Sequence, residues 1–185
     1  MTTVFIAGSI KIKKLHERVK ERLDKIVADE LRIAVGDAEG VDSSVQSYLV
    51  ERGATNVVVY CSGSTPRNNL GGWEVAPVAA DARPGTRAFF TANDIAMAEE
   101  ADYGLMIWDS KSVGTLKNVI ELLARGKKAY VFIERDKALR AVGEIAQLEA
   151  LLDFMSPEAR EDAERKIDIP RRLAELSPQQ LGMFN

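Results

Sequence analysis

The apolar positions of this chain fall into two alternating regimes. Five short runs are nearly continuous in hydrophobic residues: 3–7 (Thr3-Val4-Phe5-Ile6-Ala7), 31–35, 56–60, 103–108 and 128–133. Between them, apolar residues recur at spacings of three and four. Ile12, Leu15, Val19, Leu23, Ile26 and Val27 form one such stripe, and Val45, Tyr48 and Leu49 form another. Continuous runs suit strands buried on both faces. The second spacing is that of amphipathic helices. Strands alternating with helices imply a parallel sheet joined by right-handed crossovers. The expectation is an α/β protein with a Rossmann-like open parallel sheet of about five strands in the order 3-2-1-4-5, with helices on both faces.

Three of these runs end in loops of small or acidic residues. The first runs into Gly8-Ser9, and the second into Gly36-Asp37-Ala38-Glu39-Gly40-Val41-Asp42. The fourth runs into Asp109-Ser110-Lys111-Ser112-Val113-Gly114-Thr115. Short side chains at a helix start leave backbone N–H groups open to an anion, which the helix dipole favours. In an open parallel sheet such loops gather at the carboxyl ends of the strands, where ligands bind. The order 3-2-1-4-5 sets Gly8-Ser9 beside Ser112–Thr115. These loops imply a small phosphate- or ribose-bearing ligand.

The pattern breaks between Cys61 and Thr86, where Gly, Ser and Pro are frequent and Arg67, Asn68, Asn69 and Trp73 occur. A loop of that length reads as a lid or binding loop. A helix is expected from about Thr91 to Glu100. After residue 133, Val142, Ile145, Leu148, Leu151 and Leu152 make a further helical stripe. Ser156-Pro157 opens another helix through its cap and N1 proline. The expected organisation is a nucleotide-binding domain over 1–135 and a helical C-terminal extension over 136–185, packed on the same domain or on a partner subunit.

Composition narrows the class. The chain has 185 residues, 46% apolar, with a formal net charge of -3. That balance makes nucleic acid an unexpected partner. One histidine, His16, and one cysteine, Cys61, do not make a zinc site or a disulfide. No metal and no cofactor is expected. The first strand leaves no space for a leader, and no apolar run reaches membrane-spanning length. A cytoplasmic protein without membrane contact is the expectation.

Taken together, the early Gly-Ser, the central Gly-Asp-Ala-Glu-Gly-Val-Asp and the late Asn93-Asp94-x-x-Met97-x-x-x-Ala101-Asp102 resemble the SLOG superfamily. The continuation Trp108-Asp109-x-x-Ser112-x-Gly114-Thr115 adds to the match. That superfamily holds the DprA/Smf-like proteins, the Lonely Guy phosphoribohydrolases and the YpsA-like proteins. The resemblance spans roughly residues 3–133, about one domain. It implies a Rossmann-like sheet, a nucleotide or nucleotide derivative as ligand, and a homo-oligomer, most simply a dimer. Gly8 and Ser9 would lie under a phosphate or ribose. Gly36, Asp37, Gly40 and Asp42 would form the second wall. Ser112, Gly114 and Thr115 would supply a backbone anion cradle. Asp109, at the end of the fourth strand, and Asn118, one turn into the following helix, are further expected ligand contacts.

The last segment also resembles the nucleoside 2-deoxyribosyltransferases. In those enzymes and the Lonely Guy enzymes, a glutamate stands three positions after the threonine. Here that position is Asn118, which cannot ionise. Binding without cleavage is therefore the expected function. An N-glycosidase or deoxyribosyltransferase-like enzyme using Asp94, with Asn118 replacing the usual carboxylate or Glu121 taking its place, is the alternative. An interaction module with a vestigial pocket is a third.

Individual residues keep two readings each. Asp94 binds a ribose hydroxyl or merely helps cap a helix. Arg67 and Arg87 suit phosphate oxygens. Trp73 stacks on a base from the lid, Trp108 belongs to the core, and His16 lies on a surface.

Overall fold

The computed structural model describes residues 1–182, with side chains through residue 177. Seven strands form one sheet: β1 (Thr3–Gly8), β2 (Arg32–Gly36), β3 (Val57–Ser62), β4 (Glu74–Val78), β5 (Tyr103–Trp108), β6 (Lys128–Ile133) and β7 (Ala138–Val142). The helices are α1 (Glu17–Ala28), α2 (Val41–Glu51), α3 (Arg87–Glu100), α4 (Val113–Ala124), α5 (Ile145–Leu152), α6 (Pro157–Ile167) and α7 (Ile169–Gly182). The strand order is β4-β3-β2-β1-β5-β6-β7. Its five central strands are those of the expected 3-2-1-4-5 sheet, all parallel.

Two edge strands were not expected. β4 forms inside the 61–86 stretch and pairs parallel with β3. It is short, half exposed and carries Pro77, which only an edge strand tolerates. β7 runs antiparallel to β6 after a tight hairpin. Val142, expected on a helical stripe, ends this strand instead. Both segments draw their strand character from a neighbour's free edge rather than from their own sequence.

Winding direction divides the core. Val19, Leu23 and Ile26 of α1 and Val41, Val45 and Leu49 of α2 bury one face of the sheet. Met97 and Ala98 of α3, Leu116, Val119 and Leu122 of α4, and the tail helices bury the other. Leu148, Leu151, Leu152, Ala163, Ile169 and Leu176 carry α5, α6 and α7 onto that second face. No helix among the described residues is long and apolar enough to cross a membrane.

The helix expected directly after Gly8-Ser9 starts only at Glu17. His16 caps it, its Nδ1 accepting from Arg18 N–H at 3.2 Å, and its ring stacks on Phe132 at 5.3 Å. Ile12 and Leu15 are buried, but within a loop. Gly8-Ser9 therefore offers no helix N-terminus.

Candidate functional site

The order of connection reverses between β1 and β5, where Gly8 lies opposite Ile107. Here the carboxyl ends of the strands open a crevice. Its floor is tied together by short polar residues. Ser9 N–H donates to the Ile107 carbonyl at 3.0 Å, and Ser9 Oγ accepts from Asp109 N–H at 3.1 Å. Asp109 Oδ1 accepts from Lys111 N–H at 2.9 Å and Ser112 N–H at 2.7 Å. Ser112 caps α4 through Thr115 N–H, and its carbonyl accepts from the Trp108 indole at 3.0 Å. Ser9, Asp109, Ser112 and Thr115 thus hold one another in place. The N–H groups of Val113 and Gly114 face outward without intrahelical partners. A Cβ on Gly114 would meet nothing within 4 Å, so space is open above this helix start.

Glycines elsewhere in the crevice serve packing. A Cβ on Gly8 would strike the Ile107 carbonyl and Val41. One on Gly36 would strike the Asp42 carboxylate. Gly40 takes a left-handed φ of 79° and lies against the Ile10 backbone.

The second wall is strapped by residues 67–70 of the segment expected to be a lid or binding loop. Asp37, 2% exposed, accepts from Arg67 N–H at 2.8 Å and pairs with its guanidinium. Asn68 donates to the Asp37 carbonyl at 2.9 Å. Gln46, fully buried, donates to the carbonyls of Gly36 and Asn68 and accepts from Leu70 N–H. Asn69 clamps Trp73 through two bonds, and the Trp73 indole donates to the Ala54 carbonyl at 2.8 Å. That bond fixes Trp73 at the amino end of β3, away from the crevice. Its expected role of stacking on a base is thereby corrected. Gln46 was missed because a glutamine on a helix carries no signal until its two partner segments are known.

Two carboxyls lie within reach of the Arg67 charge. Burial, with the nearby charge of Asp94, pushes Asp42 up to about 8. Burial pushes Asp94 up to about 7, against the pull of Lys117 and Arg67. Near neutral pH this floor is therefore only partly charged. Asn93 Oδ1, Ser62 Oγ and Ser110 Oγ are buried without a protein partner among the described residues. They leave unspent hydrogen-bonding capacity around the crevice. Asn118 is 5% exposed on the inner side of α4. Glu121 is bound by Arg125 at 2.6 Å and Arg172 at 3.7 Å, so it does not stand in for a glutamate at 118.

Cations and aromatic rings lie along the rim. The Arg67 guanidinium sits 4.0 Å from the centroid of Phe90, which meets Phe89 edge to face at 5.3 Å. Arg83, Arg87 and Lys111 are exposed on the adjoining loops and helix starts.

No protein-family model matches the chain, and no curated protein sequence does. Two solved structures share its architecture. One, from a study of the single-stranded DNA binding mode of DNA processing protein A from Helicobacter pylori, aligns with a TM-score of 0.53 at 17% identity, covering 84% of this chain and 74% of that one. The other is DNA processing protein A (DprA) from Streptococcus pneumoniae, with a TM-score of 0.52 at 16% identity. This chain spans 56% of its length, and 89% of this chain is covered. The H. pylori protein binds single-stranded DNA. That runs against the expected small nucleotide ligand and against the expectation that nucleic acid is an unlikely partner. The expectation rested on net charge, a whole-chain average that does not report how charge is spread over the surface. The chain shares the Rossmann-like fold of these two DNA processing proteins.

Proposed function

We propose that this protein binds single-stranded DNA along the carboxyl edge of its sheet. The observation that carries the reading is the platform where the buried Asp37 fixes Arg67 over Phe90, with the exposed Arg87 one turn before Phe90 on α3 and the exposed Arg83 in the loop before that helix. Unpaired bases stack on aromatic faces and guanidinium planes whatever their identity. Lys111 and the open N–H groups of Val113 and Gly114 supply anchorage for phosphates. Asn118, Thr115 and Ser9 line the inner end of this path. The structural likeness to a single-stranded DNA binder supports the reading, as does the unspent hydrogen-bonding capacity of Asn93 and Ser62.

Fluorescence anisotropy with a labelled oligothymidylate tests it. Binding is expected to weaken steeply between about 50 and about 200 mM salt, with a logarithmic slope of roughly −0.7 per phosphate contacted. Arg87→Glu with Lys111→Glu should lower affinity by at least about tenfold, because two attractive contacts become repulsive. Equal affinity of the folded double variant and the wild type would refute the assignment of this edge.

A further inference from the structure

A second cationic feature lies outside the crevice. The turn between α6 and α7 closes a cleft of about 410 Å³ against α4, lined by Lys117, Arg165, Lys166, Arg171 and Arg172 with Asp168 and Glu175. Five positive groups thus face two carboxylates, in a chain whose overall charge is -3.

Their ion pairing is incomplete. Arg165 and Lys166 share the single carboxylate of Asp162, at 2.5 Å and 2.7 Å, so one of the two charges is uncompensated. Arg172 reaches Glu121 only at 3.7 Å, and Glu121 is already held by Arg125 at 2.6 Å. Arg171 pairs with Glu175 at 3.0 Å on an exposed surface, where such pairs hold weakly. Asp168 receives Arg171 N–H, at 3.4 Å. Lys117 has no ion-pair partner among the described residues, and its charge acts on Asp94 in the crevice. It lies about one turn into α4, the helix whose N-terminus opens into the crevice, and lines the cleft as well.

We infer that the α6–α7 cleft is a second contact for the phosphodiester backbone, which leaves the crevice past Lys117 and runs between Arg165 and Arg171. This rests on the single-stranded DNA reading of the crevice. The cleft is lined mainly by charged side chains and carries no aromatic ring, so it takes phosphates and not bases. A short strand filling the crevice would not reach it, whereas a long one would.

The test compares labelled oligothymidylates of about 6 and about 24 nucleotides on the full chain, by anisotropy at about 50 mM salt. Arg165→Glu with Arg171→Glu should weaken the longer oligonucleotide about tenfold or more, leave the shorter one within about twofold, and lower the salt slope for the longer one by about one. The milder Arg165→Gln with Arg171→Gln should move the same readouts part of the way, which separates lost contacts from disturbed helices. Circular dichroism confirms that the tail helices persist. Unchanged affinity for the longer strand in the folded charge-reversal variant would overturn the cleft and leave the crevice reading intact. Equal losses for both lengths would overturn it too, since the effect would then not depend on reach. A wild-type protein that binds neither length would remove the crevice reading and the cleft with it.

Discussion

Gly8 and Gly114 show how differently two glycines of one crevice are used. A side chain on Gly8 would enter the Ile107 carbonyl and Val41, so the backbone of β1 would have to move. Gly8→Val should cost more than about 2 kcal/mol in urea denaturation, as overpacking against a rigid neighbour does. Gly114→Ala meets open space and should leave stability equal or raised. Any loss of strand binding in that variant then reports approach to the start of α4. The paired carboxyls give a second residue-scale expectation. The folded values of Asp42 and Asp94 lie above the ordinary one, so the folded state holds extra protons between their unfolded and folded values. Their contribution to stability is full below about 4 and is lost as pH rises to about 8. Asp42→Asn should remove the Asp42 share of that slope, leave the share of Asp94, and melt higher than the wild type at about pH 9. Oligonucleotide affinity should rise as pH falls from about 8.5 to about 6, because neutral carboxyls no longer repel phosphate. A flat stability profile that Asp42→Asn leaves unchanged would show these groups are not buried together.

At the scale of elements, the site depends on caps and straps more than on any one strand. Ser112→Ala removes the cap of α4 and should cost about 1 kcal/mol by thermal denaturation. It also frees the helix start that the strand phosphate would touch. Gln46 joins β2, α2 and the 67–70 segment by three bonds, so Gln46→Leu leaves buried carbonyls and an N–H unpaired. That substitution should destabilise by a few kcal/mol, of order 1–3 per orphaned group, and loosen Arg67 over Phe90. The tail belongs to this scale as well. A chain cut at residue 135 loses β7 and exposes the face of α4 that α6 and α7 cover. It is expected to bind a hydrophobic dye and to lose cooperative melting, whereas a cooperatively melting fragment would show that the 1–135 segment folds alone.

Across the whole molecule, charge is distributed rather than abundant. Arg83, Arg87 and Lys111 lie at the carboxyl edge, while Arg22 and Lys25 border a hollow beside Tyr103 and Tyr130 at the opposite end of the sheet. Strand binding at the carboxyl edge predicts that Arg22→Gln with Lys25→Gln leaves oligonucleotide affinity within about twofold, since screening over about 10 Å removes distant charges. A loss as large as that of the rim variant would place the strand on the wrong end.

The sequence by itself determined the five central strands, the α/β class and the switch point beside Gly8, because continuous apolar runs and helical stripes record burial directly. Through the strand order it also set Gly8-Ser9 beside the loop that runs from Asp109 to Thr115, where Ser9 Oγ accepts from Asp109 N–H. The tertiary structure alone decided the rest. β4 and β7 exist because a neighbouring strand edge was free, and nothing in Glu74–Val78 or Ala138–Val142 records that edge. Trp73 turned from the crevice because Ala54, nineteen residues before it, offers the acceptor its indole needs. Arg67 became part of a wall because a buried aspartate thirty residues earlier required a cation. Lys117 of α4 came to line the α6–α7 cleft because helix packing set α4 against a turn much later in the chain. Periodicity reports whether a residue is covered. Which polar group covers it is set by long-range contacts, and these carry no local pattern.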